Sequence, residues 1–169
     1  EQLRRPSWKG ELIVLGTAKR PPRPSEVMEL LHGVRDNAVV NLVGLPFPDR
    51  AAFLAKLFPQ LMELRARTAR PHWIILDEAH HLLPAGHDSV ALTIPERMTG
   101  LVMVTVEPKQ IAPSAIKRLD EVLLIGRGAQ ALADEVGDVL GEGSPPRLPR
   151  ELETGAGVLW RRAGGTTHL

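Results

Sequence analysis

The apolar positions of this chain gather into short runs separated by polar, glycine-rich and proline-rich segments. Leu12-Ile13-Val14-Leu15 ends at Gly16, and Ala38 to Val43 ends at Gly44 and Pro46. Trp73-Ile74-Ile75-Leu76 runs into two acids, Leu101 to Thr105 follows, and Glu121 to Ile125 stops at Gly126. Each run is short enough for a strand. The Trp73–Leu76 run has no polar alternation, which suits a strand covered on both faces, as in a parallel sheet. Between these runs the spacing turns helical. Val27, Leu30 and Leu31 share one side of a short helix that Ser25 can cap and Gly33 can close. Phe53, Leu57, Leu61 and Leu64 recur at helical spacing in a longer helix that Asp49 caps and that runs to Arg70. Pro59 lies inside it and should kink it, at roughly 3 kcal/mol. A loop or short helix is expected over Ala85–Arg97, a short helix over Ile111–Leu119, and a better one over Ala129–Leu140. After a Gly141–Pro149 loop, Gly157 to Arg161 reads as a final edge strand. Strands alternating with helices predict an α/β layered domain with a mainly parallel sheet.

Composition narrows this only a little. A length of 169 residues suits one domain able to bury a core. The formal net charge of +1 gives no global basic footprint for DNA, although a local patch stays open. With no cysteine, disulfides and thiolate metal sites drop out. No apolar run approaches the roughly 18 residues a membrane span needs, and no signal peptide is visible, so a cytoplasmic location is the default expectation. Tyrosine is absent and only three phenylalanines occur, so Trp8, Trp73 and Trp160 read as packing residues rather than base-stacking platforms.

Candidate chemistry sits at one place, His72-Trp-Ile-Ile-Leu-Asp-Glu-Ala-His-His81. In open α/β sheets ligands bind at the carboxyl ends of strands, where Asp77 and Glu78 stand. Buried carboxylates are costly unless paired or metal-bound. A magnesium nucleotide would give both acids a role. Asp77 would hold the ion, usually through water, and Glu78 would orient and deprotonate an attacking water. The plain alternative is a strand end whose acids meet solvent or nearby arginines. A metal site of Glu78, His80, His81 and His87 would need a spacing such as H-E-x-x-H, which is absent. His80 is better placed to begin the structure after the strand and link the acid pair to the neighbouring strand. His81 would then pack or face solvent. Arg65, Arg67 and Arg70 suit a solvated helix end more than a DNA contact, Arg20 and Arg23 a solvated extended loop, and Arg161-Arg162 equally a phosphate grip or a charged edge strand.

The segment Ile74-Ile75-Leu76-Asp77-Glu78-Ala79-His80 resembles the Walker B strand of P-loop ATPases with its catalytic glutamate. The order around it, from Asn37 to Gly126, is similar to the second half of HerA/FtsK-like ATPases, the DNA-translocating and transport motors. The resemblance implies a P-loop NTPase-like fold of the RecA/ASCE type, with a mainly parallel sheet and flanking helices. It implies ATP and Mg as cofactors, Asp77 as the Mg residue, and Glu78 as the base, both at the nucleotide. Thr105 matches the sensor of the terminal phosphate, with Glu107 close behind. HerA-like proteins usually follow such a threonine with glutamine, and here Val106 stands instead. An arginine offered across a subunit interface is usual in these rings; Arg127 and Arg97 are the candidates, and a hexamer is the implied assembly.

No G-x-x-x-x-G-K-[ST] string occurs in the chain. The expectation is therefore that residue 1 lies downstream of a P-loop strand. The chain would be the C-terminal part of an ATPase domain in a longer protein, with an incomplete sheet and no activity alone. On that reading residues 1–169 form a single α/β domain. Residues 12–36 are a strand and proline-rich lead-in, 37–126 the core with the acid pair, and 127–169 the last helix and edge strand. The alternative is a degenerate ATPase-like module that regulates another catalytic domain, such as a haloacid-dehalogenase-type phosphatase, whose D-x-D-x-[TV] motif this chain lacks.

Overall fold

The computed structural model describes residues 12–33, 37–141, 145–148 and 151–169. Packing divides the chain into two compact units, Glu1–His72 and Trp73–Leu169. The division falls inside the 37–126 segment expected to form one core.

The first unit is a β-α-β-α run. Strand β1 (Leu12–Leu15) pairs in parallel with β2 (Asn37–Val40), Leu12 opposite Asn37 and Leu15 opposite Val40. Helix α1 (Pro24–His32) connects them, and α2 (Phe47–Thr68) follows. α1 starts with Pro24 at its first position, where the missing N–H removes nothing the helix needs. Its N-cap is therefore Arg23 rather than Ser25. The Arg23 backbone N–H donates to Glu26 Oε2 at 3.1 Å, so the reciprocal half of a capping box is present. That bond and the guanidinium groups of Arg23 and Arg20 hold the Glu26 carboxyl below its ordinary range. The post-strand arginines are thus tied to the first turn of α1.

α2 begins two residues before Asp49, with proline again in its first turn, and it stays helical through Pro59. Pro59 is exposed, so its ring and the missing hydrogen bond face solvent. The apolar stripe read from the sequence is the one buried: Phe53, Leu54, Leu57, Phe58, Leu61 and Leu64. Helix α1 packs against α2, and its Val27 and Met28 are both buried. The loops after β1 and β2 cross very closely. A Cβ on Gly16 would lie 2.4 Å from the Asn41 carbonyl oxygen, and one on Gly44 would lie 2.5 Å from that of Thr17.

The second unit holds two separate small sheets. β3 (Ile74–Leu76) and β4 (Leu101–Met103) are a parallel pair, Ile74 opposite Leu101. β5 (Glu121–Ile125), β6 (Gly157–Arg161) and β7 (Thr166–His168) form an antiparallel sheet in that order. Short helices α3 (Asp88–Ala91) and α4 (Pro113–Ile116) follow β3 and β4 respectively, and α5 (Ala129–Leu140) follows β5. Leu83, Ile94, Ile111 and Ile116 are almost completely buried. A second cluster joins Leu124, Ala129, Ala133, Leu152 and Val158.

The structure departs from the sequence expectations in three ways. The strand pairing is mixed, parallel in β1–β2 and β3–β4 but antiparallel in β5–β6–β7. β6 is the centre of its sheet, not an edge. Gly164 and Gly165 turn the chain back after Arg161, closed by Gly164 N–H to Arg161 O at 3.1 Å and Arg161 N–H to Gly165 O at 3.0 Å, and β7 becomes the edge. Finally, β3 is not covered on both faces. Leu76 is buried, but Trp73 and Ile75 are 73% and 66% exposed. An apolar run looks the same in sequence whether one face or two are covered. Val102 and Val104, on and just beyond β4, are exposed too, as are Leu123 and Ile125 of β5. Among the described residues no helix is long and apolar enough to cross a membrane.

Candidate functional site

β3 ends at the buried Leu76, and the next two residues emerge into solvent as Asp77 and Glu78. Asp77 Oδ1 accepts the Glu78 backbone N–H at 3.1 Å. Glu78 then takes a left-handed backbone, φ 48° and ψ 51°. For a non-glycine residue this conformation costs of order 1–3 kcal/mol, and such positions cluster at functional sites. The surroundings hold it there. Val104 N–H donates to Leu76 O at 2.9 Å, and Ala79 N–H donates to Val104 O at 2.9 Å, so the chain curls over the end of β4. Ala79 begins a 3₁₀ turn through His81, anchored by the buried Ala79, Leu82 and Leu83.

That turn carries His80 inward. It is the one polar or charged residue that is buried among the described residues, at 7% exposure. Its Nδ1 lies 3.0 Å from Thr105 Oγ1 and 3.6 Å from Glu78 Oε2. Thr105 Oγ1 also accepts the Glu107 backbone N–H at 3.0 Å, a local turn that hydroxyl side chains favour. The His81 ring is tilted against His80, with centroids 4.1 Å apart. One histidine thus links the acid pair on β3 to the polar residue beyond β4. The fourth apolar run makes this possible because pairing of Ile74 with Leu101 sets both strand ends level.

Asp77, Glu78 and Thr105 therefore share one end of a parallel pair, with His80 between them. Arg127 does not join them by any described hydrogen bond or ion pair; it is exposed between Gly126 and Gly128, which have φ 72° and 78°. Arg97 is likewise exposed, away from any described partner. His87 is exposed at the start of α3, and among the described residues no three His, Asp or Glu side chains gather as a metal group. The four-residue metal site of Glu78, His80, His81 and His87 is not assembled.

The donor set does suit magnesium in the form a nucleotide carries it. Mg²⁺ keeps several waters and takes one or two carboxylates besides phosphate oxygens. Asp77 and Glu78 are exposed carboxylates at a strand end and fit that description. The sequence signal for the left-handed turn was nil, because a glycine would normally announce it.

No protein-family model matches the chain, and no curated protein matches it. Its structure is similar to that of the genome packaging NTPase B204 from Sulfolobus turreted icosahedral virus 2, in complex with ATP-gammaS. The TM-score is 0.58 at 11% identity, covering 94% of this chain and 80% of that one. The fold is P-loop NTPase-like. At this identity the likeness is one of fold, and it holds even though the strand pairing is mixed.

Proposed function

We propose that this chain is part of an ATP-binding, ATP-hydrolysing domain of the HerA/FtsK-like, motor or translocase kind. The observation that carries the reading is the strand end where Asp77, Glu78 and Thr105 meet within an NTPase-like fold. A magnesium ion bound with the nucleotide would neutralise charge on the phosphate oxygens, and Asp77 would be the residue to hold it. Glu78, exposed and turned out of the sheet by its left-handed backbone, orients a water and takes its proton. Thr105 meets the terminal phosphate. Arg127, exposed in its glycine-flanked turn, is free to serve a neighbouring subunit in a ring, hexameric by resemblance. On this reading the β- and γ-phosphates are cradled by groups outside a G-x-x-x-x-G-K-[ST] string, which the chain lacks. Since the structural neighbour is a genome packaging NTPase, DNA is the polymer to try first.

The test is Glu78→Gln in the full-length protein. ATP turnover should fall by about 10²-fold or more, while ATP binding stays within a few-fold. Undiminished turnover in that variant sinks the assignment.

One observation favours a second reading. Val106 is 69% exposed where a HerA-like protein would offer glutamine. An apolar residue there suits a degenerate, nucleotide-binding regulatory module attached to another catalytic domain, such as a haloacid-dehalogenase-type phosphatase. Wild-type protein that binds ATP without hydrolysing it would select this reading over the first.

A further inference from the structure

We propose that His80 is a positioning residue that fixes Thr105 as a hydrogen-bond donor towards the terminal phosphate. The inference rests on the ATPase reading of the site and deepens it.

Protons and lone pairs around the Thr105 hydroxyl decide which way it bonds. A threonine hydroxyl has two acceptor lone pairs and one proton. The Glu107 backbone N–H occupies one lone pair of Thr105 at 3.0 Å. What the second does depends on whether His80 Nδ1, also 3.0 Å away, carries a proton. The Glu78 carboxylate decides this. Its Oε2 is 3.6 Å from the same nitrogen. A bare ring nitrogen would turn its lone pair towards a negative oxygen, whereas an N–H turns a partial positive charge towards it. The ring is buried and cannot swing into water to escape the choice. Nδ1 therefore bears the proton and donates it to Thr105. Both Thr105 lone pairs are then filled, and its own proton has to go to another acceptor. Among the described residues no acceptor bonds that hydroxyl. An anionic phosphate oxygen is the acceptor the site would recruit.

The same ring therefore couples the residue that handles water to the residue that handles phosphate. Without the Nδ1 proton, Thr105 would spend its hydrogen on His80 and present a lone pair to an anion, which repels.

The experiment uses the full-length protein in two measurements. The first is the ¹⁵N shift of His80 Nδ1 in histidine-labelled protein without nucleotide, assigned by its loss in His80→Asn. A proton-bearing nitrogen is expected; a bare Nδ1 overturns the proposal whatever the activity. The second is the affinity for ATP-gammaS and for ADP. His80→Gln and Thr105→Val should each weaken ATP-gammaS about tenfold, the scale of one hydrogen bond to a charged group, with ADP unchanged within about twofold. The double variant should be no weaker than either single one. His80→Asn, which puts an amide N–H near the Nδ1 position, should recover most of the loss. Equal loss for both nucleotides would reduce His80 to a structural role and overturn the inference. A wild type that binds neither nucleotide overturns the ATPase reading itself, and the Nδ1 measurement separates that failure from this one.

Discussion

Both parallel strand pairs of this protein need a sharp left-handed turn soon after their first strand, and they fill it differently. After β1 the position is Gly16, at φ 91°, with the Asn41 carbonyl occupying the space a Cβ would need. After β3 it is Glu78, at φ 48°. In the first unit the residue without a side chain takes the turn at no steric cost. In the second, on the reading proposed above, the side chain itself is used, which gives a reason to keep a strained glutamate. The difference teaches where the chain tolerates strain: beside Asp77, His80 and Thr105, not beside the proline-rich loop. Ala69 supplies a reference. It is also left-handed, φ 52°, but it ends a helix, where that conformation is common.

Gly16→Ala should be the most damaging substitution at these turns. The added methyl would meet backbone, which cannot yield as a flexible side chain can, and it would also sit at positive φ. A loss of about 2–4 kcal/mol is expected from strain and overpacking together. Urea unfolding of the variant against wild type measures it. A loss below about 0.5 kcal/mol would mean that the two loops separate easily and that Gly16 is no more demanding than Glu78.

The converse substitution is Glu78→Gly. It should abolish turnover yet raise stability by about 1 kcal/mol, because a left-handed L-residue costs about 1–2 kcal/mol. Glu78→Gln keeps the strain and should show no such gain, while Ala69→Gly should gain a similar amount with turnover intact. Thermal unfolding alongside an ATPase assay reads all three. If Glu78→Gly is less stable than wild type, the contact at 3.6 Å between its carboxylate and His80 outweighs the strain, and the contrast with Gly16 disappears.

Much of this architecture was legible where local chemistry alone sets it. β5 and α5 have the bounds expected, Glu121–Ile125 and Ala129–Leu140, because Gly126 and Gly141 end them with positive φ. The buried stripe of α2 follows from spacing, since helical periodicity survives even Pro59. The acid pair at a strand end and His80 between the strands were also readable, because a histidine two residues past the acids precedes the apolar Leu82 and Leu83 that anchor the turn. What stayed hidden depends on neighbours distant in sequence. The bare face of Trp73 and Ile75 is invisible in an apolar run, and β7 has no apolar pattern to announce it as a strand. The strain at Glu78 is imposed by bonds from Val104, just beyond β4, not by its own residue type.

A second contrast, between two histidines, gives the smallest expected effect. His80 Nδ1 has Thr105 and Glu78 beside it. His72 Nδ1, in the first unit, is buried, and only the Arg70 backbone favours its charged form. Burial first, then the positive charges of Arg70 and Arg65, lower the His72 pKa from its ordinary 6.5. The folded protein therefore binds this proton less readily than the unfolded chain. The stabilising contribution is present in full above about pH 6.5, the unfolded value, and is lost as pH falls through the lowered folded one. Urea midpoints at pH 7.5 and pH 5.0 should show wild type losing more stability on acidification than His72→Gln, which has nothing to titrate there. The sign is what discriminates. If the wild type were the less acid-sensitive of the two, the ring would have gained a partner for its charged form, and the unit without the acid pair would also hold its histidine by a specific contact.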